Sequence, residues 1–195
     1  MASDPLVLGF DTSAAHCAAA LVRGDEIFAS KALQMSRGQA EHLMPLLEEV
    51  LASAGVSWSD LDAIGVGIGP GNFTGIRISV SAARGLALGM KIPSIGVSSF
   101  DATRLDQDEK TIAAVAAPRD QAYISDPSVD SGPFLTTMPY SGTSNPVFPP
   151  VAETLAQNIA RVAVGKLYQD TPRPTPLYIR AADAAPARDL PPNIL

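Results

Sequence analysis

The chain has 195 residues, of which 46% are hydrophobic and 17% charged, and a net charge of −6. That balance predicts an ordered globular protein of one domain or two small ones, and it argues against a chain that grips nucleic acid unaided, which needs a basic stripe to neutralise phosphates. A single cysteine, Cys17, excludes an internal disulfide and reads as a small buried hydrophobe.

Leu6 to Phe10 is an apolar run ending in the polar turn Asp11-Thr12-Ser13, the pattern of a strand. His16 to Val22 and Glu26 to Leu33 read as two more strands around Arg23-Gly24-Asp25, making an antiparallel meander. Gln39 to Ala54 carries apolar residues at 43, 46, 47, 50 and 51, the spacing of an amphipathic helix, and Gly55 stops it. Asp62 to Gly69 is the fourth strand, Gly75 to Met90 the second helix and Ile92 to Val97 the fifth strand.

Thirteen of the 17 prolines but only three of the 15 glycines lie at or beyond Pro118. Proline deletes ladder donors and interrupts helices, so the second half is expected to have short elements and long connections. Thr111 to Ala117 and Ala122 to Ser125 read as strands, Pro150 to Ala160 as a short helix, and Arg161 to Val164 and Leu177 to Arg180 as candidate strands. No basic region precedes the first apolar residues, and no apolar run approaches the ~20 residues of a spanning helix. A cytoplasmic protein without membrane contact is expected.

The most informative stretch is Gly65 to Ser79, Gly-Val-Gly-Ile-Gly-Pro-Gly-Asn-Phe-Thr-Gly-Ile-Arg-Ile-Ser. Pro70 and Gly71 force a turn after the strand. Asn72 or Thr74 can cap the helix that follows. A strand, a glycine-rich turn and a helix N-terminus suggest a phosphate cradle, yet neither G-x-x-x-x-G-K-[ST] nor G-x-G-x-x-G is present. The other reading is a tight corner in which Gly71 and Gly75 approach another backbone.

Metal and protease chemistry find no support. His16 and His42 are the only histidines and stand far apart, where a metal site needs three or four ligands. Gly96-Val-Ser98-Ser-Phe100 fails as a nucleophile elbow because Phe100 stands in place of the second glycine. Neither a metal nor a catalytic residue is expected.

Gly67-x-Gly69-Pro70-Gly71-x-Phe73-Thr74-Gly75-x-Arg77 resembles the signature of the bacterial TsaB (YeaZ) family. Leu8-Gly9-Phe10-Asp11-Thr12-Ser13, Glu41 to Leu46 and Ile95 to Ser99 are similar to further family segments. The resemblance implies an α/β fold of the ribonuclease-H-like (actin/Hsp70/sugar-kinase) type with two lobes. Residues 1–98 would form the first and residues 99–195 a shortened second lobe of the same type. The order of three antiparallel strands, then helix, strand, helix, strand agrees. The family commonly shows Asp-Ala-Arg-x-Gly-x-x-Tyr where this chain has Ala116, Asp120 and Tyr123, and Ser where it has Asn72. TsaD relatives carry a paired-histidine metal motif that is missing here. Leu177-Tyr178-Ile179-Arg180 resembles the closing strand, with Arg180 read as an ion-pair residue.

What the resemblance implies is a non-catalytic scaffold subunit for threonylcarbamoyl-adenosine modification of tRNA. Its partners would be TsaD-like and TsaE-like proteins, with tRNA reached only through the complex. No cofactor is expected, with weak nucleotide binding left open. Asp11, Thr12, Gly69, Gly71, Asn72, Thr74, Gly75 and Arg77 are the loop residues that a ligand would meet. Both long helices carry wide apolar faces, and His42, Leu43, Leu46, Leu47, Val50, Ile76, Ser79, Val80, Ala83, Leu86 and Ala87 are the candidate partner interface. Two alternatives stand beside this: a sugar-kinase-like phosphotransferase using Asp11 and the glycine corner, and a homodimeric module that pairs through the same helices.

Overall fold

The computed structural model describes residues 4–142 and 144–179. Strands β1 (Leu6–Asp11), β2 (His16–Arg23) and β3 (Glu26–Gln34) form the expected antiparallel meander. β4 (Ala63–Gly67) and β5 (Ser94–Val97) run parallel to β1. The sheet order is β3-β2-β1-β4-β5, a ribonuclease-H-like order, and the order of elements along the first half is the one expected from the sequence. The first two helices are α1 (Gln39–Ser53) and α2 (Phe73–Met90). A short helix, α3 (Ser99–Arg104), follows β5, so the expected lobe boundary falls at its first residue. β6 (Ala113–Ala117), β7 (Gln121–Ser125) and β8 (Phe134–Thr137) make a second, antiparallel sheet. The last helix is α4 (Ala152–Lys166).

Strand alternation divides the first sheet into two unlike faces. Leu6, Leu8, Phe10, Cys17, Leu21, Ile64 and Val66 pack with the leucines of α1 and with Ile76, Val80, Ala83 and Ala87 of α2. On the other face Val7, Val22, Ala63, Ile95 and Val97 meet Leu155, Ile159, Ala160 and Ala163 of α4. The result is a helix–sheet–helix sandwich in which a helix from the second half closes the first sheet.

That second face is built for close approach. Gly9 and Gly65 are register partners on β1 and β4. A Cβ at Gly9 would stand 2.7 Å from the Ala160 Cβ, and one at Gly65 would stand 2.8 Å from the Ala163 Cβ. Ala18 and Ala20 of β2 meet Ala152 and Ala156. Small residues on both sides let the helix backbone settle on the strands.

Four elements differ from the sequence expectation. Arg161 to Val164 belongs to α4 and not to a strand. Leu155, Ala156, Ile159, Ala160 and Ala163 recur on one helical face, while Val162 and Val164 sit half-buried at its margin. Arg161 pairs with Asp106 at 2.6 Å and Asp25 at 3.3 Å. Leu177 to Ile179 is not a strand, although the Leu177 N–H donates to the Ile68 carbonyl at 2.8 Å; Arg180 lies outside the described residues. α3 and β8 were not expected. Ser98 caps α3 by accepting from the Asp101 N–H at 3.0 Å.

Gly65→Ala is expected to lower stability by ~1–3 kcal/mol, because the new methyl overpacks the seam with Ala163. Gly85→Ala is expected to raise it by up to ~1 kcal/mol, since the site is an open helix interior. Urea unfolding of the two variants checks both signs.

Candidate functional site: the cleft beside the glycine corner

The turn after β1 and the corner before α2 interlock. The Asn72 N–H donates to the Ser13 carbonyl at 2.6 Å. The Thr12 hydroxyl donates to the Gly75 carbonyl at 2.7 Å. The Ser79 hydroxyl donates to the Gly67 carbonyl at 3.1 Å. Asn72 caps α2 by accepting from the Gly75 N–H at 2.8 Å, and the helix starts at Phe73, two residues before the expected position. Thr74 is exposed and does not cap.

Gly71 and Gly75 approach another backbone. A Cβ at Gly71 would run into the Ser13 carbonyl, and one at Gly75 into the Thr12 carbonyl. The corner's positive φ belongs to Gly69, at 90°, and not to Gly71. Gly71 is therefore required by space and not by backbone handedness. The Gly69–Pro70 peptide is cis, and the Gly69 carbonyl accepts from the Ser99 N–H at 2.9 Å.

Asp11 is completely buried. Its Oδ2 accepts from the Ser13 N–H and hydroxyl, both at 2.9 Å, and lies 2.7 Å from His16 Nε2. Its Oδ1 has no hydrogen-bond partner and lies against Gly67, where any side chain would collide with it. Sequence reasoning set His16 aside because it weighed the two histidines only against each other. The signal lies elsewhere: Asp11 and His16 end and begin two strands joined by a tight turn.

His16, Gly71, Asn72 and Phe73 line one wall of a cleft of about 630 Å³. Val115, Ala116, Pro118 and Tyr123 of the β6–β7 hairpin line the other. Residues 118–120 are the turn of that hairpin, with Arg119 and Asp120 both at positive φ. Asp120 thus occupies a backbone geometry that favours glycine and that Asp tolerates better than most residues. Thr12, Gly69, Thr74, Gly75 and Arg77 are not in the cleft lining. Arg77 lies 3.8 Å from the Phe73 ring centre and donates from Nε to the Tyr178 hydroxyl at 2.9 Å, while Phe73 and Tyr178 stack.

Most of the candidate interface lies inside the chain's own core. Leu43, Leu46, Leu47, Val50, Ile76, Ser79, Val80, Ala83 and Ala87 are buried against the sheet, and Leu86 is half-buried. Only His42 is exposed. The periodicity that marks a core face cannot by itself mark a second, outward face. Outward the helices present Met44 and Pro45 on α1 and Ser81, Gly85, Leu88 and Gly89 on α2, set among the exposed charges Glu41, Glu48, Glu49, Arg77 and Arg84. Leu88 is 81% exposed, and a Cβ at Gly85 or Gly89 would meet nothing within 4 Å.

Cys17 faces the buried side of β2, and burial, with the Asp11 charge beside it, pushes its thiol up to about 11. Among the described residues no group of three His, Cys, Asp or Glu could hold a metal ion, and no helix is long and apolar enough to cross a membrane.

The sheet order, with the Asp-Thr turn interlocked with the glycine corner, is that of a ribonuclease-H-like α/β fold. Residues 33–130 match the family model described as TsaD, tRNA N6-adenosine threonylcarbamoyltransferase. The chain is 34% identical over 125 residues to the tRNA threonylcarbamoyladenosine biosynthesis protein TsaB of Haemophilus influenzae, covering 61% of this chain and 52% of that one. YeaZ from Pseudomonas aeruginosa superposes with a TM-score of 0.56 at 31% identity, covering 75% of this chain and 68% of that one. A structure described as an uncharacterized protein with similarity to peptidase YEAZ from Pseudomonas aeruginosa gives a TM-score of 0.69 at 24% identity, over 90% of this chain and all of that one. The chain belongs to the TsaB (YeaZ) family. It spans about half the length of the curated TsaB relatives it matches first.

Gly75→Ala is expected to lower the urea midpoint without changing the far-ultraviolet circular dichroism shape, a loss of ~1–3 kcal/mol as the Thr12 carbonyl is forced aside. Cys17 is expected to resist iodoacetamide near pH 8 in the native protein and to react after denaturation, because a raised thiol stays protonated there. Mass spectrometry of the labelled chain checks it.

Proposed function

We propose that this chain is a non-catalytic subunit of the machinery that installs threonylcarbamoyl-adenosine in tRNA, and that it works in the cytoplasm as a docking scaffold for a TsaD-like protein. A TsaE-like protein joins the assembly, and tRNA is met through the complex. The named TsaB relatives support the pathway. The observation that carries the scaffold role is the state of the glycine corner. The close approach that Gly71 and Gly75 permit is taken up by the chain's own Ser13 and Thr12 carbonyls. A phosphate loop needs that approach for its ligand, so the corner serves the fold and not phosphoryl transfer. ATP with magnesium is accordingly expected not to bind tightly, and a low-micromolar dissociation constant by calorimetry would revive the kinase alternative.

The docking face is the outward side of α1 and α2. Met44 and Leu88 offer exposed apolar surface, and Gly85 and Gly89 leave room for a partner helix to come close. A homodimer formed without the partner would use the same face, so self and partner compete. A carboxylate at Ala83 cannot test this, because Ala83 is 0% exposed and the charge would fall in the chain's own core. Leu88→Glu is the suitable variant. It is expected to keep the native circular dichroism and melting temperature, and to weaken binding to the TsaD-like protein of the same genome by about tenfold or more, since a central charge would be left unpaired in the interface. Sedimentation of the variant alone and mixed reads both associations. Unchanged affinity would place the interface elsewhere.

A further inference from the structure

We propose that the flank of α2 and the connector after α4 together form a contact surface for the phosphate backbone of RNA, with the stacked Phe73–Tyr178 pair receiving an unpaired base. This surface presupposes a place for the chain in a tRNA-modifying assembly, but not the docking of a TsaD-like protein on α1 and α2, so either can fail without the other.

The net charge of −6 is unevenly spread along the chain. No Asp or Glu occurs between Asp62 and Asp101, while Arg77, Arg84 and Lys91 all fall in that interval. Their seven-residue spacing is about two turns, so they form one row along α2 and its C-cap, ~21 Å long at ~1.5 Å per residue. All three are exposed. Arg173, on the connector after α4, is exposed too, and it lines a groove of about 560 Å³ with Arg84, Lys91, Leu88 and Pro93. Among the described residues no Asp or Glu lines that groove, and none of the four cations pairs with a carboxylate. Gly89 lies about 140° round the helix from Arg84. The row therefore flanks the docking face, with Gly85 and Leu88 shared between them.

An aromatic pair lies at the start of the same row. Phe73 and Tyr178 stack with ring centres 5.1 Å apart, yet remain 37% and 41% exposed. The Arg77 guanidinium sits 3.8 Å from the Phe73 ring centre and donates from Nε to the Tyr178 hydroxyl. Among the described residues its two terminal nitrogens have no hydrogen-bond partner. Open rings beside a guanidinium are what single-stranded RNA stacks on, and a row of unpaired cations is what its backbone follows. Cations alone would suit any polyanion, an acidic protein included. The aromatic pair decides for RNA, which brings a phosphate and a flat π-face together and an acidic side chain does not. The overall negative charge keeps this contact weak in the isolated chain, and the assembly supplies the remaining affinity.

The test is fluorescence anisotropy of three labelled probes titrated with the whole chain alone: an RNA hairpin with an open loop, a fully paired RNA of the same phosphate number, and polyglutamate of the same charge. The expected result is a hairpin dissociation constant of ~100 µM or tighter at ~50 mM salt, weakened about twentyfold at ~200 mM, the loss that counterion release from about three single-strand phosphates gives. Polyglutamate should bind about tenfold more weakly than the hairpin, because it offers no base to stack. Replacing Arg84→Gln and Lys91→Gln together should weaken both RNAs about tenfold at the lower salt and flatten the salt dependence. Tyr178→Ala should weaken the hairpin about fivefold and leave the paired RNA unchanged. Circular dichroism checks that the variants fold, and if Tyr178→Ala does not, the salt dependence and the exposed Arg84 and Lys91 pair decide alone. Polyglutamate binding as tightly as the hairpin assigns the row to an acidic protein and overturns the proposal. So does the absence of hairpin binding up to ~1 mM chain at ~50 mM salt, far above useful affinity, or hairpin binding that the folded variants leave unchanged.

Discussion

The contact between α4 and the first sheet is the constraint on which the rest depends. Gly9 and Gly65 stand side by side on adjacent strands, and each lies against an alanine of the helix. A helix resting on larger side chains would ride higher on the sheet. With glycine beneath it, α4 sinks onto the strands, and Leu155 and Ile159 reach the valines and Ile95 on either side. Its rim is then fixed by polar ties: Asn158 donates to the Ala102 carbonyl at 2.8 Å, and Lys166 pairs with Asp101 at 2.9 Å. These ties hold α3, which begins at Ser99, the residue bonded to the Gly69 carbonyl. The helix seam is thus linked through α3 to the corner that shapes the cleft.

The first half was legible because its elements are long and its patterns distinct. Three strands with short turns, two amphipathic helices and a glycine corner each carry a local signature, and the order of elements could be read from them. The second half was less legible for physical reasons. Val162 and Val164 look like strand residues when read alone, but Ala160 and Ala163 place the stretch on one helical face. The strand β8 is four residues long and enclosed by Pro133 and Pro139, too short to show alternation.

At the site, Asn72 as cap and Gly71 and Gly75 as close-approach residues could be read from residue type. The pairing of Asp11 with His16 could not, because it depends on how the β1–β2 turn folds back. The apolar stripes of α1 and α2 were read correctly as wide and wrongly as outward. A hydrophobic stripe reports that a face is covered, not by what. Here the cover is the chain's own sheet.

The seam also bears on synthesis. A ribosome releases β5 more than fifty residues before α4. Through that interval Val7, Val22, Ile95 and Val97 have no helix over them, and the nascent first sheet carries one open apolar face. Such faces invite association with other chains or with chaperones. The proline-rich stretch between β8 and α4 lengthens this wait without adding cover. The first half therefore gains its final rigidity late in translation, when a helix encoded by the second half arrives.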